Sequence, residues 1–489
     1  MLLSKTKYLS GLQCPKLLWM HYHARERIPE FDAATQARFD QGHEVGRLAQ
    51  QLFPGGIEIV WSKGLRQTVK DSLALLPQRK PLYEASFVFG DIYARADILN
   101  PAPGGKWDIV EVKSSTEVKD VHLADLAVQR YCYQGAGIPI RRCYLMHIDS
   151  AYVRRGAVEP AGLLIAENVT RKLRAFSKGI ESRIDEMLAT IAVTECPAAD
   201  IGPQCSDPYE CPLIGLCWER VNRWDDNIFT LNNLGAKAWA LYKQGIERNS
   251  RIPEDYELQS RQMIQVAAER TGQPNVDGKA IQRFLARLTP PFYFLDFETF
   301  MTAIPLLDNS RPYQQVPFQF SLHTLADLAQ EPKHYSWLWD GKDDPRRLML
   351  EQLKELLGHE GSIVIYNIAF EPARLREAAE AYPDYAEWVK GIKERIIDLM
   401  APFKSYAVYY PCQHGSASIK AVLPALTGKS YDDLAISDGG TASDEFLRVM
   451  FTDVDNKDRR TVRHNLKEYC GLDTYGMIEI IRRLRSIAL

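Results

Sequence analysis

The sequence predicts a multidomain α/β protein, and three observations carry that prediction. The chain has 489 residues, room for about three domains at roughly 100–200 residues each. Strand-like and helix-like patterns alternate through the first 220 residues and again beyond residue 290. The stretch between them, residues 225 to 290, reads as mainly helical. Hydrophobic residues make up 46% and charged residues 25%, ordinary globular values that exclude a disordered, collagenous or coiled-coil chain.

The elements follow in order. Leu82–Phe89, Asp91–Leu99 and Trp107–Lys113 are rich in β-branched and aromatic residues and read as consecutive strands. Asn100–Lys106 (NPAPGGK) is a turn between the last two. A helix is expected over Val121–Gly135, a strand over Arg142–Ile148 and a long amphipathic helix over Glu167–Ala192. Cys196–Trp218 has little regular pattern. In the helical stretch, polar breaks fall at Arg251–Asp255 and Thr271–Asp277. Past it, strands are expected at Tyr293–Phe300, Phe318–His323, His334–Trp339 and Ile363–Tyr366, and helices at Pro345–Leu357, Glu371–Ala381 and Arg460–Ser486.

Charge and hydropathy narrow the function. With 63 acidic and 60 basic residues the net charge is −3, which argues against a protein that coats nucleic acid through bulk positive charge. It leaves open a nuclease, whose metal-binding carboxylates add negative charge at the site that faces phosphate. No apolar run reaches the roughly 18 residues of a membrane span. The start, MLLSKTKYLSGLQCPKLLWM, carries Lys5, Lys7 and Lys16 and does not read as a signal peptide. No membrane partner and a cytoplasmic location are expected, with the nine cysteines as thiols or metal ligands more than disulfides.

Three constellations carry chemistry. Glu111 and Lys113 are two residues apart on one strand and share a face, and Asp97 lies at the end of the preceding strand. An Asp and a Glu on neighbouring strands can share one divalent cation, magnesium or manganese by their hard oxygens. A lysine beside them can position the attacking water, the set that metal-assisted phosphodiester hydrolysis uses. The stretch ARADIL…WDIVEVKSS…LAVQRYCYQGAG resembles the RecB-type branch of the PD-(D/E)xK nucleases. That resemblance makes Asp97, Glu111 and Lys113 the catalytic core, with Gln129 and Tyr133, four apart on one helical face, supporting DNA and metal. Glu84 on the preceding strand is a further candidate. The family often carries a metal-binding His in a G-x-x-V-H stretch; here GHEVG puts Gly46 in its place, with His43 and Glu44 nearby.

Cys205, Cys211 and Cys217 are separated by five residues each, and Cys14 stands far away. Three clustered thiols and a remote one match four ligands of one tetrahedral or cubane site; Cys196 is a spare, and Cys132, Cys143, Cys412 and Cys470 read as small buried hydrophobes. Short C-x2–4-C zinc knuckles do not occur. The arrangement resembles the iron–sulfur nucleases related to RecB, in which one cysteine before the core and three after it hold a four-iron four-sulfur (4Fe–4S) cluster. The resemblance implies that cluster here, as a structural staple.

Asp296 and Glu298 share a face of the apolar strand YFLDFETF. A strand then leads to Glu371, and Tyr469 and Asp473 lie four apart in a helix. Four converging carboxylates repel unless cations bridge them, and two magnesium or manganese ions about 4 Å apart are the usual solution. D-x-E, then N-x-x-x-E from Asn367, then Y-x-x-x-D resemble the three motifs of the DEDD exonucleases of the RNase H-like fold, with Glu371 in place of the usual Asp. The resemblance implies metal ligation by Asp296, Glu298, Glu371 and Asp473, and a Tyr469 that orients or deprotonates water. Asp398 is an additional acid. Lys420, in a capped helix read over Gly415–Leu423, is expected on a solvated face; His323, His414 and His464 read as isolated.

As a whole the chain resembles a bacterial family that fuses an iron–sulfur RecB-like PD-(D/E)xK nuclease domain (1–222), a helical connector with a helix–hairpin–helix flavour (223–289) and an RNase H-like DEDD exonuclease domain (290–489). The function expected is a metal-dependent nuclease with two sites, acting on DNA by preference and at single strands or ends, in repair or defence, with a helicase or defence-system protein as a possible partner. The alternatives are a nucleic-acid-binding protein with one or both sites inactive, and a zinc-stapled RNase.

Overall fold

In the computed structural model, which describes residues 2–61 and 64–488, the chain divides into two units. One comprises residues 1–218 with 302–314, the other residues 219–301 with 315–489. Both are mixed α/β, and among the described residues no helix is long and apolar enough to cross a membrane.

The first unit is built on a sheet of seven strands: β1 (Leu3–Ser4), β2 (Ile57–Glu58), β3 (Leu82–Phe89), β4 (Ile92–Pro101), β5 (Trp107–Val112), β6 (Ile140–Ile148) and β7 (Leu164–Asn168). The run β3–β4–β5 is antiparallel, as its short turns require, and β6 lies parallel to β5 after a helical crossover. β4 has β3 along one edge from Ile92 to Leu99. Its other edge is shared, with β1 alongside Ile92 and Tyr93 and β5 alongside Ile98–Pro101. That sharing brings the residue after β1 to the tip of β5.

One sheet face packs against α1 (Lys5–Gln13), α2 (Pro15–His23), the crossover α4 (Asp120–Gly135) and α5 (Ile180–Ala192) through Tyr8, Leu18, Ala94, Ala96, Leu126 and Ile184. The small Ala94 and Ala96 let α4 lie close. On the other face, Val45 and Ala49 of α3 (Ala33–Gln50) and Ala303 meet Ile98, Val110 and Met146.

The long helix expected over 167–192 is split. Leu164–Asn168 pairs antiparallel with β6, a short helix covers Leu173–Ser177, and Gly179 at φ +75° interrupts before α5. The left-handed turn at Gly179 ends helical propagation despite the amphipathic pattern.

In the second unit, residues 219–289 are mostly short helices, including Ala236–Lys243, Ser260–Thr271 and Gly278–Leu285, with the two-residue strand β8 (Asn275–Val276). The main sheet has five strands: β9 (Phe292–Phe300), β10 (Val316–Leu325), β11 (Lys333–Leu338), β12 (Ser362–Ile365) and β13 (Ile396–Asp398). Its order is β11-β10-β9-β12-β13. β10 runs antiparallel to both of its neighbours, β9 and β11, whereas β12 runs parallel to β9 and β13 parallel to β12. A short strand β14 (Val408–Tyr409) pairs with β8.

Leu350 and Leu353 of α6 (Pro345–Leu356) and Leu375 of α7 (Glu371–Ala381) cover one sheet face. The helices that follow include α8 (Ile419–Thr427), α9 (Gly439–Phe451) and the 32-residue α10 (Asn456–Ile487). α10 lies on the sheet, where buried Gln319 of β10 donates to the Leu466 carbonyl at 2.8 Å. It approaches α8 closely at Gly476, where a Cβ would stand 2.9 Å from Leu423 Cδ2.

Candidate active sites

In the first unit, β5 delivers Glu111, 1% exposed, and Lys113 follows it two residues later on the same face. Lys113 Nζ donates to Glu111 Oε1 at 2.8 Å and to Asp125 Oδ2 at 2.7 Å. Gln129 of α4 donates to Glu111 Oε2 at 2.8 Å and to Asp125 Oδ1 at 3.0 Å. Asp97 accepts from the Val112 N–H at 2.7 Å through Oδ2. Asp97, Glu111, Lys113 and Gln129 therefore meet.

Two further members were not singled out from sequence. Asp125 stands one helical turn before Gln129, a spacing that puts it on the same face. Lys5, the first residue of α1, reaches Glu111 Oε1 at 2.7 Å and lies 3.8 Å from Asp125. Burial raises the Asp97 and Glu111 carboxyls, with Lys5 and Lys113 opposing. Burial acts on Asp125 in the same sense but is overridden by Lys113 and Lys5, which hold it well below the carboxylate range.

Tyr133 takes another place. It is fully buried, accepts from the Ala96 N–H at 2.9 Å and donates to the Ala85 carbonyl. It ties α4 to β3 and β4 and does not reach the carboxylates by a hydrogen bond. Glu84 pairs with Arg95 at 2.7 Å. His43 and Glu44 are exposed, Glu44 lying 3.9 Å from Arg47, and a Cβ on Gly46 would meet nothing within 4 Å.

Cys14, Cys205, Cys211 and Cys217 line one small cavity, together with Lys16, Asp200 and Leu213. Cys14 falls there because it separates α1 from α2. Gln13 then ties α1 to the cysteine loop, donating to the Gln204 and Tyr209 carbonyls at 2.9 and 2.7 Å. None of the four is in a disulfide. Burial, then the fields of the other three thiols, push the Cys211 thiol up to about 11. Cys196 is exposed and outside the cavity. Cys132, Cys143 and Cys470 are buried, but Cys412 is exposed.

In the second unit Asp296 and Glu298 project from β9, Glu371 opens α7, and Asp473 comes from α10. Glu298, Glu371 and Asp473 are 6%, 2% and 6% exposed. Asp296 and Glu298 each hold a ligand atom within 4.8 Å of the other and of Cys470 Sγ. The Cys470 thiol faces Asp296 Oδ2 at 3.6 Å, so this thiol adjoins the carboxylates.

The electrostatics are severe. Burial, then Asp473, Glu298 and Glu371, push the Asp296 carboxyl well above its usual range. Burial and Asp473 do the same to Glu298. Burial raises Glu371 to about 8 and Asp473 to about 6. Glu371 Oε2 is buried without a hydrogen-bond partner.

Tyr469 is buried beside Asp473 and its hydroxyl is pushed far up, by burial first and Asp473 next. Tyr431, missed from sequence, donates to Asp473 Oδ1 at 2.5 Å. Lys420 is not on a free surface: its Nζ lies 5.4 and 5.9 Å from the Tyr469 and Tyr431 ring centres, and its charge lowers both Glu298 and Asp473. Asp398 ends β13 and accepts from the Met400 N–H at 2.9 Å. His323 is not isolated but stacks on His334 at 4.2 Å between ring centres.

Residues 293–418 match a family described as a domain of unknown function (DUF2779). That span contains Asp296, Glu298, Glu371 and Asp398. The chain is similar to the "Uncharacterized protein MG366 homolog" of Mycoplasma pneumoniae, 28% identical over 206 residues, 38% of this chain and 31% of that one. It is also similar to "Uncharacterized protein MG366" of Mycoplasma genitalium, 28% over 213 residues, 40% of this chain and 32% of that one. "Uncharacterized protein UU173" of Ureaplasma parvum is 26% identical over 217 residues, 40% of this chain and 31% of that one. The matched stretch thus spans about a third of the length of these relatives.

Proposed function

We propose that the chain is a metal-dependent nuclease with two sites, cutting phosphodiester bonds of nucleic acid, DNA by preference. The observation that carries this reading is the meeting of Asp296, Glu298, Glu371 and Asp473 in the second unit, with all four carboxyls raised. Such a set is unstable as four charges and suits hard divalent cations, which ligate through oxygen. The orphaned Glu371 Oε2 is a further free donor for them.

The sheet supports an RNase H-like fold: three antiparallel strands, then two parallel to the first, in the order third-second-first-fourth-fifth. The first unit's β3–β4–β5, crossover α4 and β6 likewise support a PD-(D/E)xK core. When bound, magnesium or manganese would stabilise the attacking and leaving oxygens of an in-line displacement.

The protein's own groups do the rest. Asp296, Glu298, Glu371 and Asp473 hold the cations in the second site, where 3′ ends are trimmed. Tyr431 fixes the Asp473 carboxylate. Tyr469, protonated across the neutral range, orients the attacking water by its hydroxyl. In the first site Asp97 and Glu111 are the ligands and Lys113 steadies the water or a phosphate oxygen. Gln129 orients Glu111.

The four thiols fit a 4Fe–4S cluster. Among the described residues, the one set of three such ligand atoms mutually within 4.8 Å is Asp296, Glu298 and Cys470. Any three of the four cysteine sulfurs therefore include at least one pair more than 4.8 Å apart, beyond the about 3.8 Å of a tetrahedral zinc site with 2.3 Å bonds. A wider group at that position would staple α1 to the cysteine loop. DNA repair or defence against foreign DNA is the setting proposed.

The deciding experiment is anaerobic purification followed by digestion of end-labelled single- and double-stranded DNA and RNA with magnesium or manganese. Cleavage lost on chelation is expected. A chain that cuts none of these, yet binds them, is a binding protein with inactive sites.

A further inference from the structure

We infer that Lys5 is a displaceable counter-cation of the first site, holding the position that a divalent cation takes when it binds. The inference rests on the metal-dependent reading of that site and names how the site is kept assembled without metal.

Both oxygens of Glu111 are engaged by protein donors. Oε1 accepts from Lys5 at 2.7 Å and Lys113 at 2.8 Å, and Oε2 accepts from Gln129 at 2.8 Å. A metal shared by Asp97 and Glu111 must therefore compete with one lysine. The two lysines are not equally held. Lys113 is clamped by Asp125 at 2.7 Å as well as by Glu111, whereas Lys5 stands 3.8 Å from Asp125 and has Glu111 as its close partner. Lys5 is thus the weaker-held competitor.

Its placement is built into the fold. β1 lies along the free part of the β4 edge, Ser4 opposite Tyr93, and Ser4 caps α1 by accepting from the Lys7 N–H at 3.2 Å. This turn delivers Lys5 to the tip of β5 on a long flexible stem. Charge agrees with exchange. With all three carboxylates ionised, Asp97, Glu111 and Asp125 together with both lysines carry one net negative charge. With Lys5 displaced, the three carboxylates, Lys113 and one divalent cation are neutral. Glu84, which feels the charges of Lys5 and Glu111, has its own partner in Arg95 at 2.7 Å, and His43 and Glu44 are exposed.

The test uses the full chain with the second site silenced by Asp296→Asn and Asp473→Asn, and follows Mn2+ binding by the loss of the free-ion electron paramagnetic signal. Lys5→Met is expected to bind first-site Mn2+ about tenfold tighter than the Lys5 chain, and Lys5→Arg within about threefold of it. Thermal unfolding gives the second readout: Lys5→Met lowers the midpoint without metal and enlarges the rise that Mn2+ produces. Equal or weaker Mn2+ binding by Lys5→Met overturns the inference while leaving the metal reading intact. Absence of Mn2+ binding in every chain overturns both.

Discussion

In the first unit Glu111 and Asp125 share Lys5 and Lys113 at hydrogen-bond or ion-pair distance, and Asp97 feels the charge of both lysines. In the second unit Asp296, Glu298, Glu371 and Asp473 have one lysine in their neighbourhood, and it stands over tyrosine rings rather than on a carboxylate. Burial is comparable, so the cations make the difference. Asp125 is held well below the carboxylate range by Lys113 and Lys5 against the pull of burial, whereas Glu371 rises to about 8 because burial outweighs the hydrogen bonds from its own backbone and with Asp296, and no lysine opposes it. Buried acids near one another either find protein cations or keep their protons until metal arrives. The first site holds Asp125 as a charge through its lysines, whereas all four carboxyls of the second are raised.

The largest effect that separates the sites is on cleavage. If the proposed nuclease reading holds, Asp296→Asn should lower 3′-end trimming by about 10²- to 10³-fold or more, since it would remove a ligand of the cations that would stabilise the charge developing in the transition state. Asp97→Asn should do the same to whatever the first site cuts and leave 3′-end trimming alone. Product mapping of end-labelled strands reads both. If one substitution abolishes all cleavage, there is a single working site and the comparison collapses.

The next effect is on stability, and its sign differs between Glu371 of the second site and Asp125 of the first. An acid with a raised folded value supports folding while protonated. Glu371 therefore contributes fully below about pH 4.5, and the contribution is lost as the pH rises through about 8. The slope is up to about 1.4 kcal/mol per pH unit for each such group. Asp125 is depressed, so its contribution is present above 3.8 and is lost only as the pH falls through its lower folded value. With chelator present, the unfolding transition that Asp296→Asn shifts should move to lower temperature between pH 4.5 and 8, and Mn2+ should reverse the trend. A flat profile would mean that the second set is already compensated.

A third prediction concerns the cysteine cavity. Cys211→Ser should remove the brown colour and absorbance near 400 nm expected of a cluster and destabilise the first unit, whereas exposed Cys196→Ser should do neither. A colourless anaerobic sample with one zinc per chain would replace the cluster by a single ion.

Much of both sites could be read from spacing. D…E-x-K falls on adjacent strands of one face, and D-x-E on another, because period two is local and strong. Cys14 and the Cys205–Cys217 set were legible as a remote thiol and a cluster. What sequence hid depends on long-range register. Lys5 reaches Glu111 only because β1 joins the free edge of β4, far away in sequence, Leu3 opposite Ile92, and no local pattern encodes that pairing. Tyr431 reaches Asp473 from a loop after α8. The expected helix over 167–192 failed for a local reason, since Gly179 and the pairing of Leu164–Asn168 with β6 outweigh the amphipathic pattern. Asp125 was available, one turn before Gln129, and the helical spacing that placed Tyr133 would have placed it too.

Tyr133 and Tyr469 sharpen the comparison with the smallest expected change. Each lies four residues from a site residue in its helix, Gln129 and Asp473, yet they end in different surroundings. Tyr469 sits against the carboxylates, while Tyr133 bridges the Ala96 N–H and the Ala85 carbonyl. Tyr469→Phe should therefore lower trimming by about 10²-fold through loss of water orientation, with little change in the unfolding midpoint. Tyr133→Phe should do the reverse. It leaves a buried N–H and a buried carbonyl without their partner, a loss of about 1–3 kcal/mol, and should leave Mn2+ affinity at the first site within about twofold of the parent. Mn2+ binding weakened tenfold by Tyr133→Phe, at unchanged stability, would instead place that hydroxyl among the groups that hold the metal. Helical spacing would then have been the better guide than the hydrogen bonds of the folded chain.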